Sequence, residues 1–349
     1  MTTVRAYPFA RHLVIDRGAA APLLLLDPAG RAIWESLDAG DFGGDVPEAV
    51  RAARIPALAD PSPAAPRLRR ARWPRRRTYA FAGPAVVLDC ADEEILDLMH
   101  PRLAHAETQA PAAATLHLRR TATGFALIEQ GRPPEHHHRA EALVGAVVRR
   151  LVEIGAGRAD WAAVLHAAAV ADGAGGAIVL PGACGRGKST LTAALVGAGA
   201  AYLSDDCVPL DALGRAVAVP FSLCLKQSGW AAGEAVLPAS AAAPVFHCAE
   251  RGPCRYVAPP RVAARPLPLT AFVFPSYAEG ARLTLAPMPP EETLAALVAG
   301  RAWLARDPAG LATALAAIER TPAWRLGYGS TADALSAIGD ITAARHAAE

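Results

Sequence analysis

The chain has 349 residues, a length at which a single core usually gives way to two or three. Hydrophobic residues make up 52 % and charged ones 19 %, which excludes global disorder, and a formal charge of only +2 excludes recruitment of nucleic acid or membrane by a whole-molecule field. Six cysteines occur without a C-x-x-C pair, no apolar run reaches transmembrane length, and the first residues lack the apolar segment of a secretion signal, so a cytoplasmic protein with reduced thiols is expected.

Taken in chain order, Pro22 to Leu26 reads as a short apolar strand, Asp27-Pro28-Ala29-Gly30 as a turn, and Ile33, Trp34 and Leu37 recur at helical spacing. A second helix-like stretch lies around Val46 to Ala53. This strand-turn-helix pattern, LLLLDPAGRAIWESLDAG, resembles the PqqD-like family of peptide-recognition modules over roughly residues 8 to 57. The resemblance implies a small winged-helix-like domain, residues 1–60, that captures a leader peptide along a strand edge. A small structural cap is the competing reading.

Residues 61–77 follow as a linker, because prolines and seven arginines between Arg67 and Arg77 resist compact packing. With one aromatic and no recognisable fold around it, the run is a solvated tether rather than a nucleic-acid contact. Residues 78–160 alternate strand-like pieces (Tyr79 to Ala82, Ala85 to Leu88, Thr115 to Leu118, Phe125 to Ile128) with a helix from about Arg139 to Ile154, an α+β scaffold. His136, His137 and His138 are adjacent, a spacing that suits a polar loop better than one metal ion.

The strongest signal lies in residues 161–349. Ala177 to Leu180 reads as a buried strand, and it feeds into PGACGRGKST and then a helical segment. Gly182, Gly187, Lys188 and Ser189 match G-x-x-x-x-G-K-[ST], so residues 182–190, with Ala183, Cys184, Gly185, Arg186 and Thr190 between and after them, are expected to cradle the phosphates of ATP. Lys188 would reach the β- and γ-phosphates, and Ser189 would ligate Mg²⁺. Only two lysines, Lys188 and Lys226, occur among 35 basic residues, which makes Lys226 a second candidate for a compact ammonium at a phosphate site. Ala201 to Leu203 reads as a strand with Asp205-Asp206 at its end, where open α/β sheets place their chemistry. One carboxylate suits Mg²⁺ and the other a general base.

The order LHAAAV, AIVLPGACGRGKST and YLSDDCVPL resembles the HPr kinase/phosphorylase superfamily, and FVFPSYAEGA and RLGYGSTADAL resemble later segments of its HPr-kinase-related branch. The resemblance implies an α/β P-loop kinase domain over residues 161–349, with Asp205 as catalytic base, Asp206 as its acidic, metal-binding neighbour, and His166 beside the phosphoryl site. Departures from the pattern, Ala183-Cys184 for Glu-Ser and Thr190 for Glu, argue against HPr as acceptor and against phosphorolysis. The expectation is an ATP- and Mg²⁺-dependent kinase for a hydroxyl, foremost a Ser or Thr of a peptide or protein such as a ribosomally made precursor delivered by residues 1–57. A small-molecule hydroxyl kinase and an ATP-binding sensor or assembly factor that transfers nothing stand beside it. An oligomer is compatible with all three.

Overall fold

Two alternating apolar segments build the centre of the molecule. In Ala167–Ala171 and Ala177–Pro181, Ala167, Ala169, Ala177 and Val179 join one hydrophobic cluster, while Ala168, Val170, Ile178 and Leu180 join another. Successive side chains of a strand point to opposite faces, so this division means that both faces of the sheet are covered. The small alanine side chains let the layers on both faces approach closely.

The computed structural model describes residues 5–16, 23–26, 52–55, 75–80, 83–91, 93–155, 161–182, 185–248 and 252–346. The fold is mixed α/β. In the first stretch β1 (Arg5–Phe9), β2 (His12–Asp16), β3 (Leu23–Leu26) and β4 (Ala52–Ile55) pair antiparallel in that order. A second sheet joins β5 (Arg75–Tyr79), β6 (Ala85–Cys90), β7 (Ala112–Thr121), β8 (Gly124–Glu129) and β9 (Glu135–His137) in chain order, with α1 (Glu93–Leu103) connecting the parallel pair β6 and β7 and α2 (Ala140–Gly155) following β9.

The remaining elements are β10 (Ala163–Leu165), β11 (Ala167–Ala171), β12 (Ala177–Pro181), α3 (Lys188–Gly197), β13 (Tyr202–Ser204), β14 (Val208–Leu210), β15 (Leu223–Lys226), α4 (Trp230–Val236), β16 (Val245–Cys248) and β17 (Gly252–Val257). They continue with β18 (Leu269–Tyr277), β19 (Thr284–Met288), α5 (Pro290–Ala299), β20 (Trp303–Leu304), α6 (Pro308–Arg320), β21 (Ala323–Tyr328) and α7 (Thr331–His346). The central sheet runs β13-β11-β12-β18-β21-β19, and β12, β18 and β21 are parallel neighbours. Two small sheets, β14-β10-β20 and β15-β17-β16, flank it. On one face α3 and α7 pack through Leu191, Leu195, Ile338 and Ile341; on the other α5 and α6 pack through Leu294, Leu297, Leu311 and Leu315. Each fully buried side chain of this kind contributes about 1.5–3 kcal/mol.

Packing crosses the first of the expected boundaries. Phe9, Val14, Leu23 and Leu25 of the first sheet share a cluster with Leu311, Leu315 and Ile318 of α6, so the described part of residues 1–60 is continuous with the core of residues 161–349. The Ala10 N–H donates to Glu319 at 2.8 Å and Arg306 pairs with Asp16 at 3.1 Å across the same junction. The predicted strand at Pro22 to Leu26 corresponds to β3, whereas the expected turn at 27–30 and the helix around 33–37 lie outside the described residues. The helix-like stretch ending at Ala53 gives way to β4 at Ala52, where pairing with β3 satisfies the backbone.

The last residues of the expected linker, Arg75 to Arg77, are the start of β5. Pairing with β6 holds them extended, and Arg75 and Arg77 meet Glu93 and Glu107 at 2.8 and 2.7 Å. The predicted strand at Tyr79 to Ala82 therefore ends at its first residue. His136 and His137 lie in β9 rather than in a loop, paired to Ala126 and Phe125. The scaffold has its own core of Tyr79, Leu88, Ile95, Met99, Leu116 and Val147. It meets the central domain at a seam: the Ser222 N–H donates to the Arg102 carbonyl at 2.9 Å, and His105 bonds Ser222 Oγ at 3.0 Å and the Pro220 carbonyl at 2.7 Å. No helix among the described residues is long and apolar enough to cross a membrane.

Candidate functional site

The glycine-rich stretch occupies the carboxyl end of β12, between that buried strand and α3, as the sequence predicts. Gly185 and Gly187 both take φ of 88°, a left-handed geometry that lets consecutive backbone N–H groups turn toward one concavity. A side chain at Gly187 would meet the Tyr328 hydroxyl at 2.5 Å, so only glycine fits this turn. Tyr328 in turn donates to the Gly187 carbonyl at 3.3 Å and stacks edge-on with Tyr277, whose N–H donates to the Arg186 carbonyl at 3.2 Å. The far side of the loop is thus fixed by the ends of β18 and β21. Ala183 and Cys184 lie outside the described residues.

Lys188 opens α3 and is buried, 7 % exposed, with its Nζ 3.5 Å from the Gly182 carbonyl. Among the described residues no salt bridge holds this ammonium, which leaves it directed over the loop. Ser189, the next residue, donates from Oγ to Asp205 Oδ2 at 3.2 Å. The same oxygen accepts the Cys224 N–H at 2.9 Å. Asp205 is 6 % exposed, and its other oxygen, Oδ1, is buried with no hydrogen-bond partner. Burial pushes this carboxyl up to about 6, against the Cys224 N–H bond, which favours the charged form; nearby Asp206 raises it further and Lys188 lowers it.

Asp206 has a different environment. Its side chain is 56 % exposed and its Oδ1 lies 3.3 Å from His166 Nδ1, which also sits 3.2 Å from the Asp206 carbonyl oxygen. Both partners of Nδ1 are acceptors, which assigns the proton to that nitrogen. His166 occupies the break between β10 and β11 rather than the middle of a strand. Lys226 lies two residues beyond Cys224 on β15, so the two share a strand face that lines the same cleft as the loop. Thr190 faces Gly229, where an added Cβ would lie 2.7 Å from its hydroxyl.

The structure therefore brings Lys188, Ser189, Asp205, Asp206, His166 and Lys226 to one cleft. It also distinguishes the two carboxylates in a way the motif does not: Asp205 faces Ser189 at the loop, and Asp206 faces His166 at the opening. The volume is ≈ 1850 Å³, above the roughly 300–1,000 Å³ of a single small-molecule site, so a nucleotide leaves room beside it. The wall opposite the loop comes from the scaffold and its seam, with Arg102, Val148 and Phe221 among its residues. Sequence reasoning missed Tyr277 and Tyr328, although both fall inside the PSY and GYGS stretches that carried the family resemblance. The Cys224 N–H could not have been found, since a backbone donor has no sequence signature. No protein-family model matches the chain, and a search of the curated proteins returns no match.

Proposed function

We propose that the protein is an ATP-dependent kinase of P-loop type that transfers the γ-phosphoryl group to a hydroxyl acceptor. The observation that carries this reading is the Lys188 ammonium held over the glycine-rich turn directly before a serine that is hydrogen-bonded to a buried carboxylate. Asp205 lies near enough to feel this ammonium, yet among the described residues no carboxylate contacts it, and a buried cation without a contacting counter-charge is costly. A phosphate chain supplies that counter-charge.

Ser189 and Asp205 fit a Mg²⁺ ion. Asp205 Oδ1 is a buried oxygen in want of a partner, and Mg²⁺ takes few protein ligands beside nucleotide phosphates. When bound, the ion supplies charge neutralisation between the phosphates. The roles of the two carboxylates are therefore exchanged relative to the family pattern: Asp205 serves the metal and Asp206 the acceptor. Asp206 takes the proton from the acceptor hydroxyl, whose oxygen forms the new bond to the γ-phosphorus as the bond to the bridging oxygen of ADP breaks. His166 Nδ1–H orients the Asp206 carboxylate, and Lys188 balances the charge on the transferred group.

A peptide or protein Ser or Thr is the acceptor class we favour over a small-molecule hydroxyl, because the first sheet presents β1 and β4 as outer strands to which an extended peptide adds by backbone pairing. The test of the central reading is equilibrium binding of a fluorescent ATP analogue with Mg²⁺. Lys188→Ala should weaken it by about 10² or more. Equal affinity in the variant would remove the phosphate site from Lys188 and the kinase reading with it.

A further inference from the structure

We propose that Arg301 anchors the acceptor by receiving an anionic group, a carboxylate or phosphate, that the acceptor carries near its reactive hydroxyl. This rests on the kinase reading and adds the acceptor's charge to it. β11 and β12 pair Ala167 with Pro181, and continuing that antiparallel ladder by one residue sets His166 opposite Gly182. β10 and β20 pair Ala163 with Leu304 and Val164 with Trp303, which sets the end of β10, just before His166, beside the start of the strand that follows Arg301. His166 thus joins β11, the neighbour of the strand that leads into the phosphate loop, to β10, the neighbour of the strand that follows Arg301. Arg301 lines the same cleft as Lys188 and Asp206.

The backbone at Arg301 is held at φ 69°, one of two non-glycine residues with positive φ among the described residues. It closes α5, with its N–H on the Val298 carbonyl at 2.9 Å and the Ala302 N–H on the Leu297 carbonyl at 2.9 Å. Helices that end this way usually place glycine at the left-handed position. Here Gly300 comes one residue early, with φ of −76°, and the arginine takes the strained place. Strain of this kind is kept where it aims a side chain that is needed.

The guanidinium is also uncommitted. Arg120 and Arg149, which line the same cleft, pair with Glu94 and Glu135 at 2.6 and 2.5 Å, and Arg102 donates to the Leu98 carbonyl at 2.7 Å while lying over the Tyr256 ring. Among the described residues no carboxylate pairs with Arg301. A permanently charged planar fork with five donors, lining the cleft that holds Lys188 and Asp206, matches the geometry of a carboxylate or phosphate.

The experiment uses the full chain loaded with Mg²⁺ and a non-hydrolysable ATP analogue, so that the phosphate loop is filled, and titrates inorganic phosphate as the probe. The wild type should bind it saturably, Arg301→Gly about tenfold or more weakly, and Arg301→Lys in between. Because glycine relieves the positive φ, Arg301→Gly should also melt about 1–3 °C higher while losing the anion. Displacement of the bound phosphate by small hydroxycarboxylates would support the anchor and name a free acid as the source. Displacement only by serine peptides flanked by glutamates would support it and name a peptide. Equal phosphate affinity in wild type and Arg301→Gly, or no saturable phosphate in the loaded wild type, overturns the proposal. So does a lower melting temperature in Arg301→Gly with wild-type phosphate affinity in Arg301→Gln, which assigns the residue a structural role. Failure of the wild type to bind the nucleotide analogue would instead count against the kinase reading itself.

Discussion

The two walls of the cleft are built in different ways. The wall that carries Lys188, Ser189 and Asp205 comes from short, consecutive stretches from the end of β12 to just past β13, and its helix α3 packs on the central sheet through Leu191 and Leu195. The opposite wall is assembled from residues distant in sequence, Arg102, Val148, Phe221 and Arg301, and half of it belongs to a scaffold with a separate core. Local construction on a shared core gives a site that depends on few tertiary choices. The second wall depends on how the scaffold sits at the His105–Ser222 seam, so on the proposed reading phosphate binding would fall to the first wall and acceptor choice to the second.

The sharpest way to break this comparison is Asp206→Asn, which removes a proton acceptor at the junction of the walls without changing its shape. ATP turnover should fall by about 10² to 10⁴ while nucleotide binding persists. Loss of binding in step with turnover would place Asp206 on the phosphate wall instead.

A smaller effect follows from pH. Folding raises the Asp205 carboxyl from its ordinary 3.8 to about 6, so between those values the folded chain binds more protons than the unfolded one. This group's contribution to the stability of the nucleotide-free protein is therefore present below pH 3.8 and is lost as pH rises through 6. Mg²⁺ requires the ionised form, so the apparent affinity for Mg²⁺ with nucleotide should decline as pH falls below 6, approaching about tenfold per unit. A Mg²⁺ titration at several pH values reads this directly, and a flat profile from pH 7 to 5 would separate the metal from Asp205.

The least severe change is at the seam. Desolvation of the His105 ring holds its imidazole below the ordinary range, in the neutral form that bonds Ser222 and Pro220. His105→Ala should cost about 1 kcal/mol locally, seen as roughly fivefold faster amide exchange at Ser222 and Cys224, with little effect on nucleotide affinity. Unaltered exchange there would mean that the scaffold does not support the approach to β15.

Legibility followed the same division. The loop, its helix and the paired carboxylates were readable because their spacing is local: a buried strand, glycines where positive φ is required, and a lysine-serine pair at the helix start. What the spacing could not reveal was which carboxylate faces the loop. That depends on the Cys224 N–H arriving from β15, 19 residues away, to hold Asp205 against Ser189. The first sheet was readable only at β3, because its attachment to α6 joins Phe9 and Leu23 to Leu311 and Ile318 across most of the chain. Arginine content in residues 75–77 suggested a tether, yet strand pairing with β6 and contacts to Glu93 and Glu107 outweigh composition there. Arg301 carries no motif; its mark is a non-glycine residue at a left-handed helix end, visible only in the backbone.

The division of labour between the two carboxylates is the central claim, and one measurement addresses it: the Mg²⁺ dependence of ATP-analogue binding in Asp205→Asn and Asp206→Asn at pH 7, side by side. Asp205→Asn should raise the Mg²⁺ concentration at half-saturation by about tenfold or more, since the amide removes the charge that faces the metal beside Ser189. Asp206→Asn should leave that midpoint where it is in the wild type. A raised midpoint in Asp206→Asn with a wild-type midpoint in Asp205→Asn would contradict the assignment and return the roles to those of the family pattern.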